Sequence, residues 1–266
     1  MLNEKFLNEN DLVLLSVKDH ICTLTLNRPR HYNALSMPMI ESISTALDKI
    51  NEDKEIHVVI LAGNGPGFCS GHDLKEICEN KNQAYTEALF SKCSQMMLKI
   101  LKLNQPVIAK VHSIATAAGC QLAASCDLVA ASEKAQFATP GVNIGLFCST
   151  PMVALTRSVS RKHAMEMLLT GDMFSAEHAF NIGLVNKVVK EHELDSTVEE
   201  LALKIASKSP LTVSIGKRAF YKQIELGISD AYEYANAVMC QNMLKNDADE
   251  GIRAFIEKRQ PKWTGS

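Results

Sequence analysis

Apolar residues cluster at the start of the chain in two strand-length runs, Leu12-Val13-Leu14-Leu15-Ser16-Val17 and Ile21-Cys22-Thr23-Leu24-Thr25-Leu26. The polar Lys18-Asp19-His20 between them predicts a hairpin, which Arg28-Pro29-Arg30 ends. Ser36 before Met37-Pro38 offers an N-cap with proline in the first turn, and predicts a helix to about Ile50. Val58-Val59-Ile60-Leu61-Ala62 is continuously apolar, the pattern of a strand covered on both faces, and stops at Gly63-Asn64-Gly65-Pro66-Gly67. Residues 107–111 and 128–131 repeat it, and helical spacing predicts helices over 84–103, 118–125 and 150–169. Strands alternating with helices predict an α/β fold. From about Asp195 the pattern becomes wholly helical. Ser196 with Glu199 predicts a capping box, then three helices without a strand, giving a core over 1–194 and a helical region over 195–266. In that region Ala231, Tyr234, Ala235, Val238, Ile252, Phe255 and Ile256 predict faces that pack on the core or on another subunit.

The stretch 107–131 has the length of a membrane span, with only Lys110 and Asp127 as charges. Its Ala and Ser content and its His112, Gln121 and Asp127 make the transfer energy poor, so a strand followed by a buried small-residue helix is expected. The formal net charge is −2, from 28 basic and 30 acidic residues well interleaved. That balance gives no broad field for nucleic acid or an anionic membrane. None of the eight cysteines (22, 69, 78, 93, 120, 126, 148, 240) forms a CxxC pair or a zinc-spaced cluster with histidine. They are expected to be reduced, buried thiols, with no metal bound. Nothing at the N-terminus reads as a secretory signal, which predicts the cytoplasm, or the mitochondrial matrix after loss of a transit peptide.

Two glycine-containing segments follow apolar runs and open helices: Gly67-Phe68-Cys69-Ser70-Gly71-His72-Asp73-Leu74 and Ala117-Ala118-Gly119-Cys120-Gln121-Leu122. Backbone N–H groups at such turns can point at a ligand oxygen, and two that converge make an oxyanion hole. Taken singly, each is equally a plain strand-to-helix turn, and neither is a nucleotide-phosphate loop.

These two segments stand in order with Asn27-Arg28-Pro29, Asn33-Ala34-Leu35, Cys126-Asp127-Leu128, Ala135-Gln136-Phe137-Ala138-Thr139-Pro140, Leu169-Thr170-Gly171 and Gly183-Leu184-Val185. With Glu250-Gly251 and Ala254-Phe255-Ile256-Glu257-Lys258-Arg259, the series resembles the crotonase (enoyl-CoA hydratase/isomerase) superfamily over nearly the whole chain. The resemblance implies a spiral of repeated ββα units, a helical C-terminal trimerisation region, and a homotrimer or dimer of trimers. It implies as ligand a fatty acyl or related coenzyme A thioester, with coenzyme A part of the ligand and no covalently bound cofactor. Its carbonyl oxygen would be held by the backbone N–H groups of Ser70 and Ala118. Gly71, His72, Asp73 and Gly119 would line the site, and Arg28, Arg30, Phe255 and Lys258, with Trp263, would meet the nucleotide end of coenzyme A, the tail reaching a neighbouring subunit. Surface solubility accounts for the basic residues almost as well.

The superfamily's two glutamates fall on Gln121 and Gly141. Glutamine can hydrogen-bond a water but cannot exchange a proton near neutral pH, and glycine offers no group. Since acid–base help contributes ~10² to 10⁴-fold, hydration is expected to be weak or absent. His72, His112, Asn143, Cys148 and Ser149 lie in or beside the matched loops as replacement groups, each with an ordinary structural role as the alternative; Cys120 and Cys126 read as packing residues. Four functions stay open: a thioester-binding protein with little turnover, a hydratase or isomerase with a relocated base, a decarboxylase that needs only enolate stabilisation, and a noncatalytic oligomeric scaffold.

Overall fold

The computed structural model describes residues 11–266; residues 1–10, where the N-terminal reading of the sequence falls, lie outside the described residues. In chain order the elements are β1 (Val13–Lys18), β2 (Ile21–Leu26), α1 (Met37–Glu52), β3 (Val58–Gly63), β4 (Gly67–Cys69), α2 (Leu74–Glu79) and α3 (Gln83–Lys102). There follow β5 (Val107–Val111), β6 (Ile114–Thr116), α4 (Ala118–Ala124), β7 (Leu128–Ser132), β8 (Gln136–Ala138), α5 (Pro151–Ser158) and α6 (Arg161–Thr170). The chain closes with β9 (Phe174–Ser175), α7 (Ala176–Asn181), β10 (Lys187–Val189), α8 (Leu194–Ala206), α9 (Pro210–Gln223), α10 (Ile228–Met243) and α11 (Asn246–Ile256).

The hairpin forms as expected, turning at Asp19 and His20 in the left-handed region (φ 51° and 62°). Ser36 caps α1 by accepting from Met39 N. Strands then sort into two sheets, a six-stranded one in the order β1-β2-β3-β5-β7-β10 and a four-stranded one in the order β4-β6-β8-β9. Three times in succession the chain lays one strand in the large sheet (β3, β5, β7), the next in the small sheet (β4, β6, β8), and returns through helix. That is the expected spiral of ββα units.

One large apolar core, containing Leu24, Ile40, Val59, Met96 and Leu122, fills the space between the sheets and helices α1 and α3. A second cluster covers the other face of the large sheet, where Leu194, Val198 and Ala202 of α8 pack on Ile21, Val58, Ile60, Ile108 and Ala130. The expected division at 194/195 thus falls at the start of a helix that belongs to the core.

Several local expectations are corrected. Residues 150–169 form two helices, because Val159 and Ser160 turn extended (ψ 166° and 154°) and Ser160 starts α6. Ser196 does not cap: α8 has already begun, and Ser196 Oγ donates to Glu193 O, while the Glu193 side chain accepts from Lys190 N (3.3 Å). The C-terminal region holds four helices, not three. Among the cysteines all eight are free, but Cys78 and Cys240 are exposed. Residues 107–131 form β5, β6, α4 and β7, and no helix among the described residues is long and apolar enough to cross a membrane.

Candidate active site

Strands β4, β6 and β8 are parallel neighbours, in the registers Cys69↔Ala115 and Thr116↔Ala138. Their C-terminal ends therefore open side by side, and residues 70–73, 117–118 and 139–141 leave from one edge. Ligands of open parallel sheets collect at that end of the strands. Cross-bonds set the loops' positions: Thr116 Oγ1 donates to Ser70 O (3.0 Å), Ala117 N to Ala138 O (2.9 Å) and Leu35 N to Gly71 O (2.7 Å). Asn33 latches the first loop from below, its buried Nδ2 donating to the carbonyls of Asn64, Gly67 and Phe68.

Two glycines allow the close approach. A Cβ on Gly119 would lie 2.0 Å from Cys69 O, so only glycine lets the start of α4 meet β4. Gly71 has φ +97°, and a Cβ there would lie 2.8 Å from Ala117 Cβ and 3.2 Å from Ala118 N. The turn at Gly71 thus touches the first residue of α4. Ala117, just before it, takes φ 51° and ψ −120°, a backbone shape that costs a non-glycine residue about 1–3 kcal/mol.

The N–H groups at this junction differ from the sequence expectation at one position. Ser70 N donates to Tyr32 O at 3.0 Å, so it is engaged. Among the described residues the N–H groups of His72, two residues on, and of Ala118 meet no acceptor. His72 N and Ala118 N are thus open to a ligand oxygen, as Ser70 N is not. Sequence reasoning missed this because the acceptor that occupies Ser70 lies 38 positions earlier in the chain.

Buried polar atoms without partners gather in the same loops: Gln121 Oε1, Thr139 Oγ1 and His72 Nε2. A buried acceptor or donor left unmade costs about 1–3 kcal/mol, so these atoms are suited to a water or a ligand. Burial lowers the His72 imidazole to about 4, and the ring stands edge-on to Phe90 with centroids 5.0 Å apart. It is neutral at pH 7.

Gly141 is buried, and a Cβ on it would lie 2.7 Å from Leu146 O and 2.9 Å from Cys148 Sγ. The volume a side chain would need is filled by a carbonyl and a thiol. Cys148 is buried and its thiol pushed up by burial, as are Cys120, to about 12, and Cys126. None is a ready nucleophile.

The remaining sequence candidates have structural partners. His112 Nε2 bonds Gly65 O (2.8 Å), Asn143 Nδ2 donates to Gly171 O (3.3 Å) and Ser149 Oγ to Phe147 O (3.3 Å). Arg28 is not a free cation: its Nη1 pairs with Asp73 Oδ2 at 2.6 Å. Partial burial alone would raise the Asp73 carboxyl, but the Arg28 hydrogen bond and the N–H groups of Glu76 and Lys75 outweigh it and hold it below its usual range. Asp73 thereby caps α2 and holds Arg28 in place. Arg30 is exposed and pairs with no carboxylate among the described residues. In the tail, Trp263 folds back on its own chain, its ring 3.2 Å from where a Gly251 Cβ would lie and its Nε1 donating to Ser207 O. Phe255 and Lys258 stay exposed, Phe255 at 85%. Two open surface clefts, about 390 Å³ beside Phe180 and Thr197 and about 240 Å³ beside Thr23 and Lys110, lie away from the strand ends that carry these loops.

Residues 16–266 match the enoyl-CoA hydratase/isomerase family. The mitochondrial enoyl-CoA hydratase domain-containing protein 3 of Xenopus laevis is 45% identical over 260 residues, covering 98% of this chain and 88% of its own. The crystal structure of an enoyl-CoA hydratase from Mycobacterium smegmatis superposes with a TM-score of 0.94 at 48% identity, covering 96% of this chain and 99% of that one. That of human enoyl-CoA hydratase domain-containing protein 3 gives 0.93 at 45% identity, covering 95% and 100%. Together with the ββα spiral and the loops at its strand ends, these likenesses establish that the chain belongs to the enoyl-CoA hydratase/isomerase family of the crotonase superfamily.

Proposed function

We propose that this protein binds acyl-CoA thioesters, with the carbonyl oxygen held by the backbone N–H groups of His72 and Ala118, and that it hydrates enoyl-CoA weakly or not at all. The observation that carries the reading is Gly141: it offers no carboxylate, and a Cβ there would lie 2.7 Å from Leu146 O and 2.9 Å from Cys148 Sγ, so the loop as it stands has no room for one. Gln121 is buried with its Oε1 unpartnered, able to bond a water but not to take its proton. Two fixed donors still stabilise the negative charge that a thioester oxygen gains when its α-carbon loses a proton, an effect of ~3 to 4 kcal/mol per donor. Arg30 and Lys258 are the exposed cations for the phosphates of coenzyme A, and Phe255 is the exposed ring of a tail that completes a neighbouring subunit's site in a trimer or dimer of trimers. The mitochondrial relatives support a matrix location.

Calorimetric titration with coenzyme A and with acyl-CoA tests the binding half, and failure to bind either removes it. Loss of crotonyl-CoA absorbance tests the catalytic half. The expected rate is at least ~10²-fold below that of a hydratase with both glutamates, and a rate equal to such an enzyme overturns it. Malonyl-type thioesters, followed by mass spectrometry, report whether enolate stabilisation alone sustains decarboxylation.

A further inference from the structure

We propose that His163, Glu166 and His178 form a binding site for a divalent transition-metal ion of the zinc class, clamping α6 to α7. One ligand atom from each of the three lies within 4.8 Å of the other two. Two imidazoles and a carboxylate are a donor set that such ions prefer, leaving a fourth position for water. His163 and Glu166 sit three apart on α6 and so share a face, with Nδ1 and Oε2 3.8 Å apart. His178 comes from α7, and Ser175 Oγ fixes its backbone by accepting its N–H (3.1 Å).

His178 supplies the second observation. Its Nε2 is buried and has no hydrogen-bond partner among the described residues. The ring is held by Phe174, with centroids 4.7 Å apart, and meets the His163 ring edge-on at 6.1 Å. An imidazole that carries a buried, unpartnered nitrogen and stands within reach of a second imidazole and a carboxylate is set for a cation. Tetrahedral zinc, with ligand bonds of ~2.0–2.1 Å, needs its donors roughly 3.3 Å apart. His163 and Glu166 are 43% and 50% exposed, so their side chains are free to close that distance.

The clamp bears on the candidate active site. Between the two helices runs the Gly171 turn, where Asn143 Nδ2 donates to Gly171 O (3.3 Å) and a Gly171 Cβ would lie 2.9 Å from Val142 Cγ2. An ion joining α6 to α7 would stiffen the turn that carries Gly141.

The test is calorimetric titration of ZnCl2 into the full chain after EDTA treatment. One equivalent per chain at micromolar affinity is expected. H163N and E166Q, both at exposed side chains, are expected to weaken binding by more than about tenfold, with circular dichroism unchanged. Cobalt substituted for zinc is expected to show ligand-field bands without thiolate charge transfer, and a C78S/C240S variant to bind as the wild type does. Absence of binding, unchanged affinity in H163N and E166Q, or loss of binding in C78S/C240S overturns the site.

Discussion

At Gly141 and His72 single residues govern both packing and chemistry. Because a Cβ at 141 would meet a backbone carbonyl at 2.7 Å, the Pro140–Ile144 turn or the segment that follows must move to admit one. Gly141→Ala is expected to cost about 1 to 3 kcal/mol in urea unfolding. Adding Cys148→Ala recovers only part, since Leu146 O remains. For the same reason Gly141→Glu, paired with Gln121→Glu, is expected to bring no crotonyl-CoA hydration. His72 gives a pH signature. Its pKa falls from 6.5 to about 4 on folding, through burial. Between those values the unfolded chain binds a proton that the native chain does not. Stability therefore declines as pH drops from about 6.5 towards 4 and levels off below, by about 3 kcal/mol in all. Urea midpoints across this window, compared between wild type and His72→Gln, isolate the contribution. A difference that does not change with pH counts against it.

Between elements, a buried ionic knot ties the helical C-terminal region to the spiral. Lys217 of α9 donates to Ile100 O and Gln105 O (both 2.9 Å) and to Asp127 Oδ2 (2.7 Å). Asp127 also accepts from Val107 N and from Tyr221 OH. Burial pulls the Lys217 ammonium down against the pull of Asp127. Lys217→Met leaves a buried carboxylate and two carbonyls short of a donor, and is expected to cost about 3 to 5 kcal/mol. Tyr221→Phe, which removes one hydrogen bond, is expected to cost about 1 kcal/mol. Equal losses in the two variants, by chemical denaturation, would show that the ammonium is not the centre of the knot. Nothing in the sequence marks Lys217, since its partners lie 90 or more residues away. The elements themselves were far more legible. β3, β5 and β7 announce themselves as unbroken apolar runs because both their faces are covered. β4, β6 and β8, three residues each, are too short to show any period, and they are the strands that carry the site. The loops after β4 and β6 are legible instead through the glycines that the close approach of β4 and α4 demands, and the loop after β8 only through the family resemblance.

Across the whole molecule, the described residues leave an apolar surface that they do not themselves cover. Along α10 and α11, Ile228, Tyr232, Met239, Leu244, Phe255 and Ile256 are 60% or more exposed. Such positions were read from the sequence as packing on the core or on another subunit; Ala231 takes the first course and Phe255 and Ile256 do not. Their helices are nonetheless well anchored. Asp247 accepts from Ser209 Oγ, Thr264 N and Gly265 N, pinning the last residues to the start of α9, and Arg259 bonds Glu250 through both terminal nitrogens. Rigid helices that present large apolar side chains to water are costly unless another surface meets them, and each aromatic ring so covered buries ~150–250 Å². With the trimer or dimer of trimers proposed above covering this surface, sedimentation is expected to show three or six chains per particle, and Phe255→Glu with Ile256→Glu to shift the protein towards single chains. If the tail also completes a neighbour's site, the same variant binds acyl-CoA more weakly while keeping its circular dichroism. A monomeric wild type that binds acyl-CoA would show instead that each chain holds the ligand alone.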